Sequence, residues 1–186
     1  MPGRDNFSAM TPRLLRRLGC CALLLLGVAG REAAGATSLS ISSPAFVSGN
    51  AIPIRHALAH DNLSPELRVA NVPPKARSLV LIVDDPDAPM GLWTHWLVWN
   101  LPPDTTSLPE GKLPPGQALE GKNSFGHVRY DGPSPPSGTH RYFFRLYALD
   151  TVLNLPAGSD RAALETAMAG HQMGSAKTYG TYQAGQ

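Results

Sequence analysis

Three side chains able to do acid–base or ligand chemistry stand at the ends of apolar runs: Asp85, His95 and His140. Leu79–Val83 is apolar at every position and leads into Asp84-Asp85-Pro86-Asp87-Ala88-Pro89. Ionised carboxylates beside a buried strand are costly unless something there uses them. Strand alternation points Asp85 the same way as Leu81 and Val83. The next run, His95-Trp-Leu-Val-Trp-Asn100, starts on a histidine. Alternation puts His95, Leu97 and Trp99 on one face, and Trp96, Val98 and Asn100 on the other. His140 opens a third run and shares a face with Tyr142, Phe144 and Leu146. Two histidines and a carboxylate make an acid–base set. They also suit a metal as a two-histidine, one-carboxylate group. Alternatively they hold an anion, with protonated His and backbone N–H as donors and Asp85 fixing their protonation. Residue types alone leave the three chemistries open.

Other catalytic patterns fare worse. Ser134 and Ser137 lie near His140, but there is no Gly-x-Ser-x-Gly elbow. There is no P-loop and no dinucleotide fingerprint. The expectation is a binding protein, not an enzyme, and no cofactor. His56, His60, His127 and His171 are taken as structural histidines.

These residues need strands to position them. The all-apolar run up to Val83 suits a strand buried on both faces. Leu39–Ile41 and Leu67–Val69 are short strands, and Ala51–Ile54 is an edge strand because Pro53 cannot donate to a ladder. Pro102 to Pro115 is a polar, proline-rich connection of the kind that is often functional. Gly121 to Gly138 is too broken for a helix or long strand, and Pro133, Pro135 and Pro136 stiffen it. One helix is expected, capped by Ser159, with Asp160 in its first turn, Leu164, Ala167 and Met168 on one face, and Gly170 at its end. Tyr179–Tyr182 adds a last short strand. One helix among about seven strands makes the chain mainly β.

The length of 186 residues suits one domain, and 18 Gly with 18 Pro but no short repeat point to many turns. Residues 1–36 have the layout of a signal peptide: Arg13, Arg16 and Arg17, the apolar run Leu18–Val28, then Ala34-Gly35-Ala36. The apolar run is shorter than the roughly 20 residues of a spanning helix. The folded domain is then 37–186, exported to the periplasm or secreted, with no transmembrane segment in the mature chain. Both cysteines, Cys20 and Cys21, fall in the leader, so disulfides, thiol catalysis and cysteine-bound zinc drop out together. The leader also holds five basic and two acidic residues of the chain's 16 and 14, so the mature part has 11 basic and 12 acidic and a net charge of −1. That gives no nucleic-acid footprint, which needs a clustered basic face.

Asp85-Pro-Asp-Ala-Pro89, His95-Trp96, Gly132-Pro-Ser-Pro-Pro136 and Gly138-Thr-His-Arg-Tyr142 resemble the phosphatidylethanolamine-binding protein family. The likeness is to its bacterial branch, often called Raf-kinase-inhibitor-like proteins. Asn62-Leu-Ser-Pro-Glu-Leu67 and Gly170-His171 also resemble that branch, and the likeness runs from about Leu39 to Tyr182.

The resemblance implies a large antiparallel sheet, a smaller second sheet and a C-terminal helix. It implies an anion pocket taking phosphate, phosphoethanolamine-like headgroups or small carboxylates. The implied ligand-binding residues are Asp85, His95, Pro135, Pro136, His140 and Tyr142, with Asp87, Pro89 and Tyr130 supporting the pocket. The implied partners are a small anionic ligand or phospholipid headgroup, a kinase or protease as protein target, and a second copy of the chain. The chain departs from the branch at Val69, where Trp is usual, and near Gln183, where Arg is usual. The link from Asp85 to His95 is short, as in bacterial members, and the longer eukaryotic segment is absent.

Overall fold

The structure, a computed structural model, describes residues 38–113 and 116–186. The expected leader, 1–36, lies outside the described residues.

Two antiparallel sheets and one helix organise the chain. The small sheet comprises β1 (Ser40–Ser42), β2 (Leu67–Ala70) and β5 (Ser107–Leu108), in the order β1-β2-β5. The large sheet comprises β3 (Ser78–Asp85), β4 (Trp93–Leu101), β6 (Leu119–Glu120), β7 (Thr139–Leu149) and β8 (Gln172–Gln183), in the order β6-β4-β3-β7-β8. Every residue of the central strand β3 is buried, as an unbroken apolar run demands. One of its faces joins the core between the sheets, where Leu81 and Val83 meet Ile41, Leu67, Phe144 and Leu108. On the other face, Val80 and Ile82 pack with Leu97, Trp99, Leu164 and Met168 beneath α1 (Arg161–Met168). The mainly β architecture with two sheets and a helix near the C-terminus is the expected one.

Several local expectations change. The N-cap of α1 is Asp160, whose carboxylate accepts the Ala163 N–H at 3.0 Å. Ser159 instead donates its hydroxyl to the Pro156 carbonyl. Gly170 takes a left-handed φ of 80° just past the helix, which a glycine adopts without Cβ strain. The last strand is not a short Tyr179–Tyr182 piece but twelve residues pairing along the length of β7. Its sequence lacks an apolar alternation because much of one side is exposed and because Gly180 replaces a core residue. A Cβ on Gly180 would overlap Ile52. Ala51–Ile54 is not a strand: Ala51 forms a single parallel bridge to Thr181, and Ile54–His56 turns into a 3-10 helix after Pro53. The Pro102–Pro115 connection supplies β5, which pairs with β2.

Two irregularities in β4 overturn its simple alternation. Leu79 faces Leu101 and Leu81 faces Val98, so β4 carries one residue more than β3 over that span. Asn100 absorbs it with a φ of 57°, and its amide bonds the backbone of Leu153 as donor at 3.0 Å and acceptor at 2.9 Å. It therefore does not follow Trp96 and Val98 into the inter-sheet core. Further along, Val83 faces Trp96 but Asp84 faces Thr94. His95 is the extra residue of a β-bulge, and a bulge re-aims the side chain it carries.

Candidate functional site

The bulge brings the three expected groups together. Leu97 and Trp99 point to the helix side, where strict alternation would have sent His95. Instead the His95 ring packs edge-on against Tyr142, a residue of the inter-sheet core, at 5.1 Å. Asp85 and Tyr142 reach that side by ordinary alternation, in line with Val83 and Phe144, and His140 follows Tyr142 on β7.

The Asp85 carboxylate is nearly fully buried and has both oxygens engaged. Oδ2 accepts the His140 Nδ1–H at 2.7 Å, and Oδ1 accepts the Asp87 backbone N–H at 2.8 Å. The first bond assigns the tautomer of His140, since an ionised carboxylate only accepts. The second ties the turn back onto the strand. Asp87 in turn fastens the turn to β7. Its carboxylate accepts from the Arg141 backbone N–H and from two guanidinium nitrogens at 2.7 and 2.8 Å. Those bonds hold the Asp87 carboxyl below its ordinary range. Asp84, one residue before Asp85, points the opposite way and is wholly buried against Arg145 and Arg161 at 2.9 and 3.0 Å.

His95 is gripped by the backbone of Asp131. Its Nδ1–H donates to the Asp131 carbonyl at 2.7 Å, and the Asp131 N–H donates to the His95 carbonyl at 3.1 Å. A carbonyl cannot donate, so Nδ1 carries the proton and Nε2 is the acceptor of the neutral ring. Burial pushes the pKa of His95 down, which favours that neutral ring. The Asp131 side chain is fully buried and takes hydrogen bonds from Asn62, Asn123, His127 and Arg129. Burial pushes its carboxyl up, but the bonds from His127, Asn123 and Asn62 and the Arg129 charge outweigh that and hold it low.

The Tyr142 hydroxyl is buried and makes no hydrogen bond. It lies beside Asp85 and the Ser134 backbone, and burial, then the Asp85 charge, raises its pKa. Beside Asp85 and His95 opens a pocket of about 180 Å³. Its polar wall is Asp85, His95 and Ser134, and its apolar wall includes Pro89, Trp93, Phe125 and Pro136. The remaining expected residues stand outside the lining. His140 and Tyr142 are behind Asp85 and His95, Asp87 turns to Arg141, Pro135 is half-exposed beside the rim, and Tyr130 lies in a different cavity with its hydroxyl donating to the His56 carbonyl at 3.0 Å. Tyr130 thus supports the wall between the cavities without reaching the pocket.

Sequence reasoning missed Trp93, Phe125 and the Asp131 cluster. The signal for Phe125 was Asn123, a residue that closes turns onto its own backbone. Its Oδ1 accepts from both Phe125 and His127 N–H at 3.0 Å. His127 is a structural histidine, as expected, serving Asp131. Among the described residues no helix is long and apolar enough to cross a membrane.

Comparison with known proteins agrees with this architecture. The family model described as "Phosphatidylethanolamine-binding protein" matches residues 42–183. A UPF0098 protein of Methanothermobacter thermautotrophicus is 48% identical over 152 residues, which cover 79% of this chain and 100% of the relative. One from Pyrococcus horikoshii is 42% identical over 78% of this chain and 77% of its own. The crystal structure of Escherichia coli YbcL, a member of the mammalian PEBP family, superposes with a TM-score of 0.74 at 28% identity, covering 79% of this chain and 99% of that one. A Chlamydia trachomatis PEBP homologue gives the same TM-score at 41% identity, covering 78% and 97%. By sequence along most of its length and by fold, the chain belongs to the phosphatidylethanolamine-binding protein family.

Proposed function

We propose that the chain binds a small oxyanion, a phosphate monoester or a carboxylate, in the pocket lined by Asp85 and His95, and that it does so as an exported protein without catalysing a reaction. The observation that carries this is His95, whose Nδ1 is held by the Asp131 carbonyl so that Nε2 is left free beside Asp85 in the pocket lining. A ligand O–H donated to Nε2 gives that acceptor a partner.

The electrostatics refine the class of ligand. The pocket lining contains no Lys or Arg, while Asp85 brings a negative charge. A fully ionised phosphate is repelled there. A phosphate monoanion offers an O–H to the free Nε2 of His95. His140, donating to Asp85 at 2.7 Å, offsets part of the carboxylate's charge. The volume of about 180 Å³ accommodates a headgroup and no more. Pro136 at the rim fixes its shape before binding and so lowers the ordering cost. The reading without catalysis is supported by the hydroxyls: among the described residues no serine or threonine, Ser134 of the lining included, is hydrogen-bonded to His95 or His140. Export is argued from the basic, apolar, small-residue pattern of residues 1–36.

The test is an NMR titration of the exported chain with phosphoethanolamine, following the imidazole signals of His95 and His140. Affinity should rise as pH falls through about 6, where the monoester dianion takes up one proton and becomes the monoanion. Unmoved histidine signals at millimolar ligand across that range would end the proposal.

A further inference from the structure

We propose that a second cavity, on the far side of the Arg129–Asp131 segment, is a binding site for a small zwitterion with an apolar side chain, of the α-amino acid class. The cavity measures about 490 Å³, within the roughly 300–1,000 Å³ of ligand pockets. It shares no lining residue with the Asp85 pocket.

Its floor is aromatic. Trp96 and Tyr130 are both buried and meet edge-to-face with ring centroids 5.5 Å apart. Leu63 and Leu113 add apolar wall. Trp96 comes to this side by ordinary alternation with Leu97 and Val98.

The charges decide the ligand. Four charged residues line the cavity, and two stand beside a partner of opposite charge. Arg129 is bonded to Asp131 at 3.0 Å, and Asp61, exposed at the edge, stands 4.0 Å from Arg55, which Glu110 holds more closely at 2.9 Å. The other two, Glu120 and Lys112, form no ion pair among the described residues. Glu120 is half-buried on β6, and its Oε1 accepts the Trp96 indole N–H at 2.6 Å. That bond holds the carboxylate in place against the aromatic floor and leaves its charge without a cation. Lys112, exposed on the loop after Gly111, brings a positive charge to the same cavity without an anion among the described residues. A simple anion satisfies Lys112 and is repelled by Glu120, and a simple cation does the reverse. A molecule with an ammonium and a carboxylate satisfies both, and its hydrocarbon lies over Trp96 between Leu63 and Leu113.

The Trp96 indole N–H, bonded to Glu120, is a built-in reporter. In the full chain labelled with nitrogen-15, L-leucine should move that signal saturably in the millimolar range. Glu120→Gln keeps an acceptor for the indole and removes the charge, so the fold should stand while leucine affinity falls about tenfold, the loss of roughly 1.4 kcal/mol. Lys112→Met should weaken leucine in the same sense. Both variants should leave the phosphate response at His140 unchanged, which separates this site from the oxyanion pocket. Two results would overturn the proposal: no saturable shift with leucine at tens of millimolar, or acetate or methylammonium alone moving the signal with the same midpoint as leucine.

Discussion

Tyr142→Phe isolates the cost of the orphaned hydroxyl in the free protein, because the ring stays in place while its one polar atom is removed. In the free chain the hydroxyl is buried with no partner, on a residue 1% exposed. An unsatisfied buried polar group costs about 1–3 kcal/mol. Phenylalanine keeps the ring against His95 and removes that cost, leaving no cavity larger than one oxygen. The free variant should therefore be more stable, by about 1 kcal/mol, which for a chain of this size is about 2–4 °C in Tm. Phosphate binding should respond little, because Tyr142 stands behind the pocket lining: affinity should stay within about threefold, or about 0.7 kcal/mol. Urea unfolding without phosphate, paired with calorimetric titration, reads both numbers on one preparation. If Tyr142→Phe destabilises the free chain by about 1 kcal/mol or more, on the scale of a lost net hydrogen bond (about 0.5–1.5 kcal/mol), the hydroxyl has a partner in solution and the reasoning fails. A roughly tenfold or greater loss of phosphate affinity would show that the ligand reaches past Asp85 and His95 to the hydroxyl.

Three further perturbations probe what holds the site. Asp84→Ala leaves Arg145 and Arg161 facing a wholly buried vacancy and should cost about 3 kcal/mol in urea unfolding, at the lower end for buried pairs because both arginines are partly exposed; a loss under about 0.5 kcal/mol would class it with surface pairs. Gly132→Ala drives a Cβ onto the His56 carbonyl and should cost about 3 kcal/mol, the top of the range for overpacking, with a matching drop in Tm. Buried His95 has a folded pKa below its unfolded value of 6.5, so its stability contribution is present above that value and is lost as pH falls through the folded one. Without ligand, the slope of unfolding free energy from pH 6.5 downwards should therefore flatten in His95→Gln by up to about 1.4 kcal/mol per pH unit, and an unchanged slope would show that His95 already protonates normally in the fold.

The sequence by itself determined the large features whose signals are local. An unbroken apolar run from Leu79 to Val83 can only be a strand covered on both faces, and it is the central one. Asp85 follows that strand in parity, and His140 and Tyr142 share a face on theirs, so three of the site's groups were legible from period two alone. The helix was legible from its apolar spacing and its terminal glycine, though its cap moved by one residue to Asp160, which side-chain type alone does not distinguish from Ser159. The motifs of the Asp85–Pro89 turn and the Pro133–Tyr142 stretch also carried the family.

What the tertiary structure decided lies where one residue more or less changes a face. His95 joins the pocket only because β4 bulges opposite Val83 and Asp84, a mismatch between two strands that neither strand's own sequence displays. Asp131 matters through a backbone carbonyl, which every residue has, so its type gave no sign that it positions His95. The length of β8 was hidden because an exposed strand with Gly180 under Ile52 has no apolar rhythm to read. The unanswered charges of Glu120 and Lys112 share one cavity only after β6 and the Pro109–Leu113 loop have been brought together. Local sequence sets which way a strand faces, but pairing between strands sets register, and register decided which histidine meets which carboxylate.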